Sequence, residues 1–475
     1  MKSVSEHDLH STPRLAFWLL TALLVILWFA GGASRADVAG QAACRFFAWL
    51  ALSALALGAK LPTWKPLAPL YALLGIAVLG IAYQLLPLPP AVWGALPGHA
   101  LFVRAAEISG QPQPWRPISI SSAATANALA SMVVPGAVLI LCASLSPRQH
   151  WRIAVTLLVL VFAGCLLAVL QMSGAALRNP LINQVPTSIS GNFSNRNHFA
   201  LFVAAGCLLA AVVGVARQRV NRFTSIGALV LLPFFLVVIL GVGSRAGLVL
   251  GILAAAMGLS FARKELTLMA SKLSPRTAIG IGIAAVTALL AAAAASVYLN
   301  RATALNRTLN LDAGDDLRSR ALPYVIDAAQ RYFPFGSGFG TFDPAYRIEE
   351  PHDLLRLTYF NHAHNDWLET VMTGGALGAL LLVLTVVWYG ASVVRLWKDR
   401  SSPQLLPAAG AGILFLFMLA SFFDYPLRTP LGTAIIMIAA VWLQQGAWAR
   451  PQPGETGPWR LNFTRAQPPP IGGPA

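Results

Sequence analysis

The sequence predicts an all-α fold, a polytopic membrane helical bundle with about 12 transmembrane helices and a large helical external loop between helices 9 and 10. Of the 475 residues, 56% are hydrophobic and only 11% are charged, and the mean hydropathy is +0.64. Soluble globular proteins carry about 25% charged residues. The composition therefore excludes an ordinary cytosolic enzyme, a secreted disulfide scaffold and a disordered regulator.

A helix needs about 20 mainly apolar residues to cross the hydrocarbon core, and twelve segments of this chain meet or nearly meet that length. The second is short, and the eighth begins directly beside Arg245. The first is not a cleavable signal peptide, because its apolar core is long and further spans follow it. The predicted spans are residues 15–33, 44–59, 67–86, 124–144, 153–172, 198–216, 223–242, 246–262, 277–298, 369–390, 404–422 and 429–447.

The distribution of lysine and arginine predicts that both termini are cytoplasmic. With the N-terminus inside, 19 of the 34 basic residues fall in cytoplasmic segments, against eight in short external segments. The basic residues are scattered between apolar runs, so the net charge of +16 does not indicate a nucleic-acid partner. Residues 448–475 are rich in Pro and Gly and predict a disordered cytoplasmic tail.

Two external loops are long enough to carry function. One runs from about Pro87 to Ala123. The other, residues 299–368, holds half of all the acidic residues, contains aromatic residues throughout, and has a predicted helix near Asp315–Tyr332. We therefore expect a folded loop and a functional site on the external face.

The densest polar cluster is residues 361–369, Asn-His-Ala-His-Asn-Asp-Trp-Leu-Glu, which runs directly into the tenth span. A histidine at a membrane–water boundary can act as a general base near neutral pH. The pair His362 and His364 could instead indicate a metal site, but no HExxH pattern accompanies it. The plainer interpretation is that the cluster only caps the helix.

Arginines at external helix ends form a second group of candidates. Arg196 lies just before the sixth span, Arg245 lies within Gly-Ser-Arg-Ala-Gly, and Arg318 and Arg320 lie in the large loop. Ionisable groups at membrane depth are functional candidates by default, and arginine binds phosphate oxygens in a bidentate way. Converging guanidinium groups therefore suggest a diphosphate substrate. The alternative for any single arginine is snorkelling to lipid headgroups.

Other features favour structural roles. Residues 335–340, Phe-Gly-Ser-Gly-Phe-Gly, lack the context of a nucleotide loop and predict a tight turn after the loop helix. Asp424 and Arg428 flank Pro426 and suggest a structural ion pair. Neither a GxSxG elbow nor a Walker A loop is present, which disfavours a serine hydrolase and ATP-driven transport. The cysteines show no metal or disulfide spacing and lie in apolar runs at Cys44, Cys142, Cys165 and Cys207.

Several of these motifs together resemble the O-antigen ligase and O-antigen polymerase superfamily of bacterial envelope glycosyltransferases. His364-Asn365, followed after nine residues by Gly375-Ala376-Leu377-Gly378, is similar to the His-Asn-x9-Gly-x-x-Gly signature of O-antigen ligases. Residues 191–200 look like the family's Gly-x-Phe-x-Asn-x-Asn-His element, and residues 244–247 like its Ser-Arg-Gly-type element. Arg320, Tyr324, Pro334 and residues 336–342 look like its Arg…Trp…Pro-x-x-Gly-x-Gly-x-x-Phe element.

The resemblance covers roughly residues 185–440, while the first five spans agree in number and hydropathy only. It implies a membrane glycosyltransferase domain at 1–447, with its periplasmic loop at 299–368, in a bacterial inner membrane with the active site facing the periplasm. The sequence departs from the pattern in two places. Tyr324 replaces the usual Trp, and Arg318 competes with Arg320, as His362 competes with His364.

The family implies transfer of a glycan from an undecaprenyl-diphosphate carrier to an acceptor hydroxyl, with no metal, nucleotide or other cofactor. The acceptor would be lipid A–core or a growing glycan, and membrane lipids would be further partners. His364 would be the catalytic general base of an inverting reaction, oriented by Asn365 or Asp366. The substrate-binding residues would be Arg196, Arg245, Arg320, Asn365 and Asp366.

Three reactions share this scaffold: ligation of O-antigen, polymerisation of repeat units of O-antigen or exopolysaccharide, and transfer of glycan to protein. The ligase-type signature favours a ligase over a polymerase, and protein glycosylation comes third. A transporter or flippase is the alternative from another class, since twelve spans with both ends inside suit one. The halves of the chain are unlike, however, and the polar residues cluster on the external face rather than at the midplane.

Overall fold

The computed structural model describes residues 6–59, 62, 64–175, 177–184, 188–216, 219–271, 274, 276, 317–355, 360–398 and 404–448. Almost every described element is a helix, because a helix satisfies its own backbone hydrogen bonds in lipid. The first half contains α1 (Glu6–Ala30), α2 (Ala39–Gly58), a 3-10 turn (Lys65–Leu67), α3 (Ala68–Tyr83), β1 (Pro87–Leu88), α4 (Pro90–Gly94), α5 (Ala100–Ile108), β2 (Arg116–Pro117), α6 (Ser122–Ser131), α7 (Val133–Ala143) and α8 (Pro147–Met172).

The second half contains α9 (Arg196–Val215), α10 (Arg222–Val242), α11 (Arg245–Ala270), α12 (Leu317–Tyr332), α13 (Phe342–Glu349), a 3-10 turn (His352–Leu354), α14 (Asp366–Lys398), α15 (Leu405–Ala420), a 3-10 turn (Pro426–Arg428) and α16 (Pro430–Trp448).

Nine helical segments of the described residues are long and apolar enough to cross a membrane, and α15 and α16 are two shorter apolar helices. These segments coincide with eleven of the twelve predicted spans. The ninth predicted span, residues 277–298, lies outside the described residues, as do residues 299–316 of the loop and the predicted tail after Trp448. The prediction of an all-α polytopic membrane protein is confirmed.

Helix α9 lies at the centre of the bundle and is buried along its whole span. Its most extensive contacts are with α11 and α10. Its sequence is apolar on every side and contains many Ala and Gly residues, which let neighbouring helices approach closely. Because α9 is fixed on all sides, the polar residues at its external end, Arg196 and the preceding turn, have a defined position.

The described parts of the two long loops fold onto the bundle. Strands β1 and β2 pair antiparallel across the first loop. The predicted loop helix is α12, which packs against α14 and forms a small core with α13. Buried Tyr332, Phe342 and Tyr346 are the largest members of this core, and Phe342 and Tyr346 stack at 5.4 Å between ring centroids.

Helix α14 is interrupted at Gly375, whose φ of 59° and ψ of −142° are not helical. The turn at residues 334–340, predicted as a tight turn, fills this break. The N–H of Ser337 donates to Met372 O, the N–H of Gly338 donates to Thr373 O, and the N–H of Ala376 donates to Pro334 O. Gln84 adds a donor to Thr373 O at 2.9 Å. The glycine-rich turn at 334–340 and the Gly-x-x-Gly element that begins at Gly375 therefore form one contact.

We expect Gly375→Ala to destabilise the protein by more than about 2 kcal/mol, because a side chain at a positive φ is strained. The new Cβ would also lie 2.1 Å from Pro334 O, a backbone atom that cannot move alone. Equilibrium unfolding in mixed detergent micelles measures the difference. Gly390→Ala on the same helix is the matched control, because nothing lies within 4 Å of its Cβ position. Equal stability of the two variants would contradict this account of the break.

Candidate active site

Three helices begin around one point at one end of the bundle, and each starts with a side-chain cap. Asn195 accepts from Asn197 N at the start of α9, Ser244 accepts from Gly247 N at the start of α11, and Asn365 accepts from Leu368 N at the start of α14. Capping satisfies N–H groups that have no partner within the helix. The hydroxyl of Ser244 also donates to Asn197 Oδ1 at 2.8 Å, which joins the first two starts. Helix N-termini carry partial positive charge, so this point favours anions.

The turn between α15 and α16 places a buried carboxylate, Asp424, among these helix starts. Asn197 Nδ2 donates to Asp424 Oδ2 at 2.6 Å, and Asn195 Nδ2 donates to both carboxylate oxygens at 3.3 Å. The backbone N–H of Tyr425 donates to Oδ1 at 3.0 Å. A buried charge is tolerated only when it is paired and hydrogen-bonded, and these donors meet that requirement.

Two histidines are the ion-pair partners of Asp424. His198 Nε2 lies 3.3 Å from Asp424 Oδ1, and His364 Nδ1 lies 3.4 Å from the same oxygen. Burial alone would raise the pKa of the Asp424 carboxyl, but the two imidazoles hold that pKa well below its usual range. Asp424 is therefore ionised at neutral pH. We name Asp424, Asn195, Asn197, His198, His364 and Tyr425 the Asp424 cluster.

His364 sits at the surface of this cluster, with its side chain 16% exposed. Burial lowers the pKa of His364, Asp424 raises it, and Arg318 and His362 lower it further, with a net lowering. The backbone of His364 has a φ of 51°, in the left-handed region that non-glycine residues rarely adopt. Strain of this kind persists where the surroundings impose it, often at functional sites.

Tyr425 fixes the relative positions of three histidine rings. Its ring centroid lies 4.4 Å from that of His362, 4.7 Å from that of His364 and 4.9 Å from that of His198. Burial and the adjacent Asp424 raise the pKa of Tyr425. The phenol is therefore neutral at neutral pH, and its ring packs against all three imidazoles.

A second buried charge cluster includes His362, another histidine that contacts Tyr425. Arg428 Nε lies 3.1 Å from Asp366 Oδ1 and 3.4 Å from Glu369 Oε1, and His362 Nδ1 lies 3.0 Å from the same glutamate oxygen. The hydroxyl of Ser421 and the N–H of Leu427 donate to Asp366. We name Arg428, Asp366, Glu369 and His362 the Arg428 cluster.

These contacts differ from two expectations. Arg428, at the end of the 3-10 turn Pro426–Arg428, pairs with Asp366 and Glu369 instead of Asp424. The group that faces His364 Nδ1 is Asp424, neither Asn365 nor Asp366. Asn365 caps α14 and Asp366 holds Arg428, so both side chains are engaged within the protein.

The predicted arginines have different surroundings. Arg320 pairs with Asp353 at 2.7 Å in an exposed contact. Arg318, two residues earlier on the same helix, donates to Phe423 O at 3.2 Å, next to Asp424, and lies near enough to affect both His364 and Tyr425. Arg196 and Arg245 are the first residues of α9 and α11, at the joined helix starts. Arg245 is exposed and Arg196 is partly exposed.

The sequence reasoning did not select Asp424, Asn195, Asn197, His198 or Tyr425 as functional residues. The signal for the asparagines and His198 was present in the Asn-x-Asn-His element. Asp424 is remote in the sequence from every partner except Tyr425, and only folding brings it to them. No group of three or more His, Cys, Asp or Glu that could hold a metal ion occurs in the part of the chain that the structure describes.

Residues 227–383 match a family model described as O-antigen ligase. The match includes the Ser-Arg-Ala-Gly element, α12, the turn at 334–340, His364 and the break in α14. It supports the O-antigen ligase and polymerase superfamily that the motifs resemble. No significant match to a curated protein was found.

We expect Arg428→Met to lower the free energy of unfolding by about 3–5 kcal/mol, because it leaves two buried carboxylates without their cation. Arg347→Met is the matched control, since Arg347 pairs with Asp343 at the surface and such pairs contribute about 1 kcal/mol or less. Equilibrium unfolding in mixed detergent micelles compares the two. A loss at Arg428 no greater than that at Arg347 would show that the Arg428 cluster is not a buried ion network.

Proposed function

We propose that this protein is an O-antigen ligase-type glycosyltransferase that moves a glycan from an undecaprenyl-diphosphate carrier to an acceptor hydroxyl. The observation that carries the proposal is the contact of His364 with the buried, ionised Asp424 beside arginines and helix N-termini. This arrangement offers a base next to a binding place for a diphosphate. The site would face the periplasm of a bacterium, with both termini in the cytoplasm.

His364 suits the role of general base better than His362, although each has a carboxylate at Nδ1. Glu369, the partner of His362, is already paired with Arg428. The carboxylate of Asp424 contacts two imidazoles, so its negative charge can support an imidazolium at His364. The two His–carboxylate pairs are otherwise similar, and they differ in that Arg428 compensates the charge of Glu369.

The reaction would be a single displacement at the anomeric carbon. Nδ1 of His364 lies 3.4 Å from Asp424 Oδ1. In the proposed reaction that nitrogen would carry a proton, and Nε2 would have its lone pair available. Nε2 takes the proton of the acceptor hydroxyl as the hydroxyl oxygen forms a bond to the anomeric carbon. The bond from that carbon to the diphosphate breaks, and its electron pair leaves with the diphosphate. Attack opposite the leaving group inverts the anomeric centre.

The arginines would stabilise the charge that develops on the departing diphosphate. Arg318 is best placed among the loop residues, since it lies beside the Asp424 turn, whereas Arg320 is held by Asp353. Arg196 and Arg245 would add guanidinium groups from the two joined helix starts, where the helix dipoles have the same sign of charge.

If the protein is a ligase, the acceptor would be lipid A–core; if it is a polymerase, the acceptor would be a growing glycan. The description of the matching family favours the ligase. A deletion in the native host, complemented with wild type or His364→Ala, distinguishes the two. Long glycans accumulating on the carrier, with no O-antigen ladder on a lipopolysaccharide gel, indicate a ligase. Single repeat units left on core or carrier indicate a polymerase.

We expect His364→Gln to reduce transfer by purified protein by about 10²–10⁴-fold, the usual contribution of a general base. Binding of the carrier lipid should survive. Since the pKa of His364 is lowered, wild-type activity should stay constant above pH about 6.5 and fall only below it, where the base becomes protonated. The assay measures glycan transfer in nanodiscs with a chelator present, because the reaction proposed needs no metal.

His352→Gln is the control, because His352 is an exposed histidine in the same loop. Full activity of His364→Gln would remove the base assignment. Activity that disappears with chelator and returns with a divalent ion would contradict the metal-free reaction.

We expect Arg318→Gln to weaken binding of the carrier diphosphate by at least tenfold, since a charged bidentate contact contributes about 1.5–3 kcal/mol. Arg320→Gln is the matched comparison on the same helix and should change binding less. Titration with a fluorescent short-chain polyprenyl diphosphate measures both affinities. A larger loss of affinity in Arg320→Gln would contradict this assignment and would make Arg320, the residue that the motif indicates, the loop arginine that binds the diphosphate.

A further inference from the structure

His198 is the other histidine on Asp424, and its role is separate from that of His364. Its side chain is almost entirely buried, so it cannot reach a substrate directly. Its Nε2 lies 3.3 Å from Asp424 Oδ1, the same oxygen that His364 contacts. One carboxylate oxygen is thus shared by a buried imidazole and a surface imidazole.

The surroundings of His198 define its proton. Asp424 is ionised and can only accept, so the nitrogen that faces it, Nε2, carries hydrogen. Asn195 Nδ2, which can only donate, gives its hydrogens to the Asp424 carboxylate instead of to this nitrogen. The other nitrogen, Nδ1, is buried and lacks a hydrogen-bond partner in the described part of the chain. Protonating Nδ1 would place an unsatisfied N–H in the interior, which is costly. The geometry therefore makes His198 a donor to Asp424 through Nε2.

We propose that His198 is a positioning residue that draws part of the negative charge of Asp424 toward itself and so sets how strongly Asp424 supports protonation of His364. This proposal rests on the proposed function, in which His364 must accept a proton during the reaction. Each donor to a carboxylate weakens its pull on the remaining partner. His198 would keep His364 neutral between turnovers, so that its lone pair is available.

Other charged groups around the two histidines leave this role to His198. Tyr425 contacts both rings and is neutral, with its pKa raised by burial and by Asp424. Arg318 and His362 act on His364 from α12 and from the segment before α14. The charges of Asp366 and Glu369 are compensated by Arg428 within the Arg428 cluster. Within the described residues, His198 is the other imidazole in ion-pair contact with the carboxylate that supports His364.

The test compares His198→Phe with His198→Gln in the full chain in nanodiscs. Phenylalanine keeps a ring against Tyr425 but donates nothing to Asp424. We expect it to move the acid limb of the pH profile of kcat/KM upward by about one pH unit, because His364 then holds its proton more tightly. Glutamine keeps an N–H donor and should restore the wild-type limb. Exposed His352→Phe is the control and should leave the limb in place.

A purely structural role would lower activity at every pH without moving the limb, and that result would overturn the proposal. Histidine NMR provides a readout that needs no turnover: the His364 signal, assigned by its loss in His364→Gln, should titrate about one unit higher in His198→Phe. An unchanged titration would also overturn the proposal. A raised titration without a shifted activity profile would keep the coupling between the histidines and count against His364 as the base. If His198→Phe does not fold, the titration in His198→Gln against His198→Asn, whose shorter amide reaches less far, gives the same comparison.

Discussion

A carboxylate buried at the end of a membrane bundle must be hydrogen-bonded by donors, and the groups that contact Asp424 come from three segments. The start of α9 provides Asn195, Asn197 and His198, the segment before α14 provides His364, and the turn itself provides the N–H of Tyr425. Since an unpaired buried charge is costly, these segments must come together for the fold to be stable. The same requirement assembles the site.

This end of the bundle contains two charge clusters with opposite consequences. In the Arg428 cluster the guanidinium compensates two carboxylates, and the result is a structural link between α14 and the turn before α16. In the Asp424 cluster the partners are neutral donors and imidazoles, so the negative charge remains available for a proton-accepting step. Tyr425 contacts a histidine of each cluster. Compensation is thus the physical difference between a structural and a reactive arrangement of similar groups.

The glycine motifs of the signature position the site without taking part in it. Gly375 lets α14 break and lets the turn at 334–340 approach within backbone hydrogen-bonding distance. That contact ties the loop, and with it α12 and Arg318, to the helix that begins after His364. The spacing between His364 and Gly375 in the signature therefore corresponds to the first segment of α14, which runs from Asp366 to the break that the turn at 334–340 fills.

The sequence by itself determined the membrane class, eleven of the predicted spans, the loop helix and the segment that holds His364, because hydropathy, helix length and turn chemistry are local properties. Only the tertiary structure decided which partners these residues have. Asp424 and Arg428 are four residues apart and look like a pair, yet Asp424 contacts His198 and His364, whereas Arg428 pairs with Asp366 and Glu369. Arg318 and Arg320 are two positions apart on one helix and therefore point in different directions, which spacing in a motif does not resolve. Side-chain partners depend on contacts between distant segments, and such contacts are fixed by packing rather than by sequence neighbours.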